Sequence, residues 1–315
     1  MEEIREMVGR IKKEAARVVV GGEEVVEKVL LVLVTGGHAL LEGPPGVAKT
    51  LIAKTMAQCL SICFKRVQFT PDLMPLDIVG ANIFDLQKRE FVFKAGPVFT
   101  DILLADEINR TPPKTQAALL EAMEEKQITM DGQLHRLSEI FTVLATQNPI
   151  EYEGTYPLPE AQLDRFLLKI KISYPEENTE EELYRRCQNG PVTPEEIAQI
   201  TPVLTKDDVL RLREKITGVT IRQELFTYLN NIIRATREHH LLNLGVSPRG
   251  GISLLRVAKT SAAFQGRNYL IPDDIRENAL PVLRHRLLLK AEAQIEGVTP
   301  DQILTGILSG ITVPR

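Results

Sequence analysis

The stretch from His38 to Thr50 limits this chain more than any other. An apolar run, His38-Ala39-Leu40-Leu41, ends at Glu42. It is followed at once by Gly43-Pro44-Pro45-Gly46-Val47-Ala48-Lys49-Thr50, after which the sequence reads as helix. Strand, Gly/Pro turn and helix in that order form a recipe for holding a polyphosphate. Loop N–H groups point inward, the helix N-terminus adds the positive end of a dipole, a lysine adds charge, and a hydroxyl reaches Mg2+. The strict loop pattern, G-x-x-x-x-G-K-[ST], has glycine where this chain has Ala48. Taken alone the loop is a hypothesis, and the rest of the chain must supply the other half of a nucleotide site.

At 315 residues there is room for two domains and a sizeable core. A net charge of −4 gives no overall attraction to nucleic acid or acidic membranes. The basic pairs Lys65-Arg66, Lys88-Arg89 and Arg185-Arg186 are scattered, no tryptophan is present, and the pairs read as solvated faces. Cys59, Cys63 and Cys187 form neither a CxxC pair nor a disulfide framework. Cys59 and Cys63 have a spacing that a helix would bring to one face, although burial as small hydrophobes suits them as well. The histidines lack metal-ligand spacing, and His239 and His240 would point apart on a helix. The longest apolar run, Val29 to Val34, falls far short of the ~20 residues of a membrane span. The charged, amphipathic start MEEIREMVGRIKKEAARV has no signal-peptide apolar region, so the expectation is a cytoplasmic protein.

Read in order, residues 2–17 and 24–35 are helices, and Gly36-Gly37 ends the second. Thr50 to Leu60 is helix and Phe64 to Phe69 a strand, which completes the repeating unit of a parallel α/β sheet. Residues 83–86 and 91–93 flank Gln87-Lys88-Arg89-Glu90 as a small hairpin. A stronger hairpin places Ile128-Thr129-Met130 and Gln133-Leu134-His135 around Asp131-Gly132, a preferred two-residue turn. Both are expected to project from the body. Between them Ile102-Leu103-Leu104-Ala105 ends in Asp106-Glu107. Ligands of open α/β sheets bind beyond the carboxyl ends of strands, which puts this pair beside the phosphate loop. Asp106 suits Mg2+, and Glu107 suits polarising an attacking water. The plainer alternative is that the two acids cap the helix near Thr111-Pro112-Pro113.

A further strand, Phe141 to Thr146, ends at Gln147-Asn148-Pro149, where the Asn148 amide suits a water and a γ-phosphate or serves as a turn residue before proline. The last strand, Phe166 to Ile172, follows Asp164-Arg165. Arg165 either pairs with Asp164 on the surface or reaches a neighbouring subunit's nucleotide. From Tyr174 the composition turns acidic and proline-bearing, reading as a short helix and a linker. Beyond it only helical periodicity appears, over 209–216, 222–239, 248–264 and 272–285. In Gly245-Val246-Ser247-Pro248-Arg249-Gly250, Ser247 suits the N-cap and Pro248 the first helical position. A cation at Arg249 opposes the helix dipole, so it answers either a phosphate or a local salt bridge.

GPPGVAKT, LLADEINR (103–110), ATQNP (145–149), GTYPLPEAQLDRF (154–166) and GVSPRG (245–250), in that order, resemble the MoxR family of AAA+ ATPases, whose phosphate loop commonly has alanine at the position of Ala48. The resemblance implies an α/β P-loop NTPase fold, with a parallel five-stranded sheet sandwiched by helices and a C-terminal all-α lid. The expected division is a nucleotide-binding core over 1–192, with inserted hairpins near 83–93 and 128–137, and a lid over 193–315. It implies ATP held by Gly43, Pro44, Pro45, Gly46, Val47, Ala48, Lys49, Thr50 and Leu51, with Val20-Gly21 against adenine, and Mg2+ at Thr50 and Asp106. It further implies Glu107 as the base of the Walker B pair, Asn148 as sensor 1, Arg165 as an arginine finger acting in trans and Arg249 as sensor 2. Gly22 stands where such proteins often have glutamine.

The function so implied is a homo-oligomeric ATPase, a hexameric ring, that couples hydrolysis to remodelling or activating client proteins, often with a von Willebrand A domain partner. Two other readings compete with it. A nucleic-acid motor would use the hairpins as pore loops, but Lys88, Arg89, His135 and Arg136 are thin cover for backbone tracking, so nucleic acid is not the expected partner. A nucleotide-gated scaffold with negligible turnover would have no need of Glu107.

Overall fold

The computed structural model describes residues 1–87, 89–148 and 154–314; Lys88 of the basic pair and Pro149 of ATQNP lie outside them. The chain divides into two compact units. One holds Ile11–Leu158 and Ile170–Lys206; the other holds Met1–Arg10, Pro159–Lys169 and Asp207–Arg315.

In chain order, α1 (Glu2–Ala15) carries a buried stripe of Ile4, Val8 and Ile11. Helix α2 (Glu23–Thr35) is buried along Val29–Val34 and stops at Gly36, whose left-handed φ of 78° lets its N–H return to the Val32 carbonyl. Then come β1 (Ala39–Glu42), α3 (Lys49–Cys59), β2 (Phe64–Gln68), α4 (Pro75–Val79), the hairpin β3 (Gly80–Asp85) and β4 (Glu90–Ala95), and β5 (Ile102–Asp106). Helix α5 (Pro113–Glu125), the hairpin β6 (Gln127–Met130) and β7 (Gln133–Arg136), and β8 (Thr142–Gln147) follow. After them come α6 (Glu160–Leu163), β9 (Leu168–Lys171), α7 (Glu177–Arg186) and α8 (Pro194–Ala198).

The sheet is five-stranded and parallel in the order β2-β5-β8-β1-β9. Strands β5 and β8 are buried almost throughout, which is why they read as unbroken apolar runs rather than alternating ones. Register puts Gln68 beside Asp106, Ala105 beside Ala145 and Glu42 beside Gln147, so the carboxyl ends of four strands share one edge. His38 pins that arrangement from the opposite end. Its Nε2 donates to the Met123 carbonyl at 3.1 Å while Nδ1 accepts from the Val143 N–H at 2.9 Å.

Asp131 and Gly132 both take positive φ, 49° and 80°, as the two-residue turn requires. The hairpins are fastened to each other: Asn82 donates to Asp131 at 2.5 Å and His135 stacks on Phe93 at 3.9 Å. Ile83, Phe84, Leu86 and Phe91 remain exposed on the first hairpin. Of the two nearer cysteines, Cys59 is buried but Cys63 is exposed, because α3 ends before it.

The second unit is helical: α9 (Lys206–Thr217), α10 (Gln223–Glu238), α11 (Pro248–Phe264), α12 (Pro272–Leu283), α13 (Ala291–Ile295) and α14 (Pro300–Gly310). A short antiparallel tie, β10 (Leu242–Leu244) with β11 (Leu288–Leu289), escapes helical periodicity. Ser247 caps α11, accepting from the Gly250 N–H, with Pro248 in the first turn. His239 and His240 do not point apart. Helix α10 ends at Glu238, the backbone turns extended at His239, and the two rings stack at 4.9 Å. Among the described residues no helix is long and apolar enough to cross a membrane.

Candidate active site

The phosphate loop joins β1 to α3. Gly43 donates to the Gln147 carbonyl at 3.3 Å, and a Cβ there would run into the Ile172 carbonyl oxygen. Gly46 has φ +84° and open space where a side chain would stand. Ala48 has φ 57° and ψ 21°, the left-handed region. That conformation explains the glycine of the strict pattern, and alanine there costs about 1–2 kcal/mol. Ala48 also leaves α3 without a side-chain cap and with no acid in the first turn, so its leading N–H groups face the loop. The Lys49 ammonium folds back to the Gly43 carbonyl at 2.6 Å, across the mouth of the loop. Thr50 lies half-buried in the first turn of α3. Gly43→Ala is expected to cost about 1–3 kcal/mol, because main chain cannot yield as a side chain can. Thermal unfolding measures it, and an unchanged midpoint would contradict the close approach.

Asp106 and Glu107 are organised by neighbours on two strands. Thr146 of β8 donates its hydroxyl to Asp106 Oδ1 at 2.6 Å and accepts the Glu107 N–H at 2.8 Å. Asp106 Oδ2 accepts from Arg66 Nε at 3.0 Å and from its terminal nitrogen at 2.7 Å. Gln68 donates to Glu107 Oε2 at 2.6 Å, and Arg110 Nε stands 3.1 Å from the same oxygen. Glu107 has φ 58°, a strained value for a non-glycine residue, and turns the chain from β5 into the 3₁₀ turn Ile108–Arg110. The helix-capping alternative fails, since neither that turn nor α5 has a side-chain cap. Lys65 and Arg66 are both exposed, as a solvated face would be, but Arg66 is also paired to Asp106 across the strand edge. Asn148 is buried just past β8.

Beside the loop lies a cavity of about 920 Å³. Val20, Gly21, Pro45, Gly46, Ala48 and Leu51 line it, so the expected adenine and phosphate-loop segments border one space. Helix α7 closes it with Thr179 and Leu183. Gly21, at φ +67°, has no room for a Cβ against Thr179. The acidic stretch that reads as helix and linker therefore contributes a wall.

The uncapped helix start, the open space at Gly46 and this cavity fit a nucleotide. A threonine hydroxyl and a carboxylate are hard oxygen donors that fit Mg2+. Among the described residues no group of three or more His, Cys, Asp or Glu could hold a metal by itself, so the cation would draw further ligands from phosphate and water.

Arg165 and Arg249 belong to the helical unit. Arg165 follows α6 at the approach to β9. Asp164 has partners far along the chain: its Oδ1 lies 2.7 Å from Arg286 Nε, and Oδ2 lies 3.9 Å from Arg249 Nε.

Loop, strand order and helical C-terminal unit define the class, an AAA+ P-loop fold. A family model of the ATPase family associated with various cellular activities matches residues 38–168, and one of the AAA lid domain matches 234–307. The chaperone MoxR1 of Mycobacterium tuberculosis is 42% identical over 96% of this chain and 81% of its own. YeaC of Bacillus subtilis is 43% identical over 99% of this chain and 97% of its own. A crystal structure from Cytophaga hutchinsonii superposes with a TM-score of 0.92 at 42% identity, covering 99% of this chain and 96% of that one. The chain belongs to the MoxR family of AAA+ ATPases.

Proposed function

We propose that this protein is an Mg-ATP hydrolase that works as a ring, a hexamer by family resemblance, and remodels or activates client proteins. The observation that carries the reading is Thr146, whose one hydroxyl ties Asp106 to the backbone of Glu107 at the strand edge next to the phosphate loop. Acids so fixed suit chemistry rather than surface solvation.

In this reading Lys49 and the first N–H groups of α3 bind the phosphates. Thr50 and Asp106 would hold Mg2+, which neutralises phosphate charge when bound. Glu107 accepts a proton from the attacking water at its carboxylate. Gln68 and Arg110, both on Oε2, hold that carboxylate in place. Asn148 orients the water, Arg165 completes a neighbouring subunit's site, and Arg249 answers the γ-phosphate. The Mycobacterium relative is named a chaperone, which supports a protein client. The exposed Phe84, Leu86 and Phe91 offer an apolar contact for one, or for a von Willebrand A domain partner.

The test begins with binding. Lys49→Ala is expected to weaken affinity for a fluorescent ATP analogue about 10- to 100-fold, the worth of one charged hydrogen bond at ~1.5–3 kcal/mol. An unchanged affinity would overturn the phosphate-loop assignment.

A further inference from the structure

Arg286 follows α12 in the 3₁₀ turn Arg284–Arg286, and its side chain is almost wholly buried within the helical unit. Every guanidinium proton has an acceptor. Nε donates to Asp164 Oδ1 at 2.7 Å. One terminal nitrogen donates to the carbonyls of Asp164 at 3.3 Å and Phe166 at 2.8 Å, and the other to those of Leu167 at 3.4 Å and Val282. His285 adds Nε2 to the Phe166 carbonyl at 2.9 Å. Burial, and then the charge of Arg286, hold that imidazole well below its usual range, so the ring is neutral and donates from one nitrogen. Four of these acceptors lie on residues 164–167. The peptide groups flanking the Arg165 Cα are also held, Arg165 N–H by the Gln162 carbonyl at 3.2 Å and Phe166 N–H by that of Leu163 at 3.0 Å.

A second observation ties the same guanidinium to α11. Gly250, next to Arg249, has no Cβ, and one built there would stand 2.9 Å from Arg286 Cδ and collide with Val246. The start of α11 is thus cut to admit Arg286. Asp164 then presents its other oxygen to Arg249.

We infer that Arg286 is a positioning residue for Arg165, fixing the main chain on both sides of it and joining that segment, through Asp164, to Arg249. The trans-acting arginine and the proposed γ-phosphate sensor thereby share Asp164, which is hydrogen-bonded to Arg286 and within ion-pair distance of Arg249 at 3.9 Å. A lysine could keep the ion pair with Asp164 but lacks the planar fork that holds four carbonyls in addition. The inference rests on the reading of Arg165 as an arginine that completes a neighbour's site.

The experiment uses Arg286→Lys and Asp164→Asn in the full chain, each titrated with a fluorescent ATP analogue and assayed for turnover. Affinity and KM are expected to stay within about twofold of the parent, and kcat to fall about 10- to 100-fold, as for a misplaced catalytic group. Each variant is then mixed with Glu107→Gln, which contributes an intact Arg165 and only slow turnover of its own. If Arg286 acts through Arg165, the mixtures regain hydrolysis above the sum of the separate proteins. Arg165→Ala mixed with Glu107→Gln is the reference. Restoration in the reference but not in the Arg286→Lys mixture, or parental turnover in Arg286→Lys, would overturn the inference and leave the ring reading standing. Parental turnover in Arg165→Ala would overturn the ring reading instead. Should Arg286→Lys fail to fold, Asp164→Asn decides the matter by the same two outcomes.

Discussion

Glu107→Gln is expected to bind ATP as the parent does and to hydrolyse it about 10²- to 10⁴-fold more slowly, the usual contribution of a positioned general base. The substitution preserves shape. Glutamine can present an oxygen to Gln68, which donates to Glu107 at 2.6 Å, and its backbone N–H can keep the bond to Thr146 at 2.8 Å. The ion pair with Arg110 is lost, but both side chains are partly exposed and such pairs contribute little. Asp106 keeps its own partners, Thr146 and Arg66. What disappears is the capacity to accept a proton. Phosphate release and analogue titration therefore separate the roles. Normal turnover would remove Glu107 from the chemistry and revive the nucleotide-gated scaffold, whereas loss of binding would place Glu107 among the nucleotide ligands. If the general-base role holds, the same variant should keep a nucleotide-dependent client bound and so offers a route to identifying it.

How far these sites can be read from residues alone depends on how local their signals are. Strand, turn and helix around Gly43 to Thr50 are consecutive, so periodicity and turn chemistry suffice to find the loop, and Asp131-Gly132 announces its hairpin for the same reason. Even the departure at Ala48 has a local meaning, a left-handed φ of 57° that glycine would take without strain. Arg66, Gln68 and Thr146 are different. They act on Asp106 and Glu107 only because β2 and β8 flank β5, and parallel neighbours are set by crossovers that leave no mark in the strand itself. Arg66 accordingly reads as half of a solvated basic pair. Asp164 is the extreme case, since its principal partner, Arg286, is 122 residues further along. Helix α7 is legible as a short helix, but its part in the cavity is not: none of its residues is buried, so no apolar face marks Thr179 and Leu183 as a wall.

Arg165→Ala is expected to reduce turnover about 10³- to 10⁵-fold, the range for arginines that stabilise phosphoryl-transfer charge, while leaving ATP affinity nearly unchanged. The separation follows from where the parts lie in the chain. The phosphate loop and the cavity belong to one compact unit, and Arg165 belongs to the other, on a segment bonded to Arg286. Its removal subtracts nothing from the loop. If the chain works as a ring, parent turnover per subunit should rise with protein concentration, because each site would be complete only beside a neighbour. The Arg165→Ala curve should stay flat, and light scattering on the same samples should show equal assembly. A parent whose specific activity does not vary with concentration, in a range where scattering records assembly, would mean that each chain is catalytically complete alone. Single-stranded DNA provides the remaining arm. The net charge of −4 and the exposed apolar side chains Ile83, Phe84 and Phe91 of the first hairpin predict no stimulation. A large, salt-sensitive increase would reverse the choice of client and make the hairpins elements of a nucleic-acid motor.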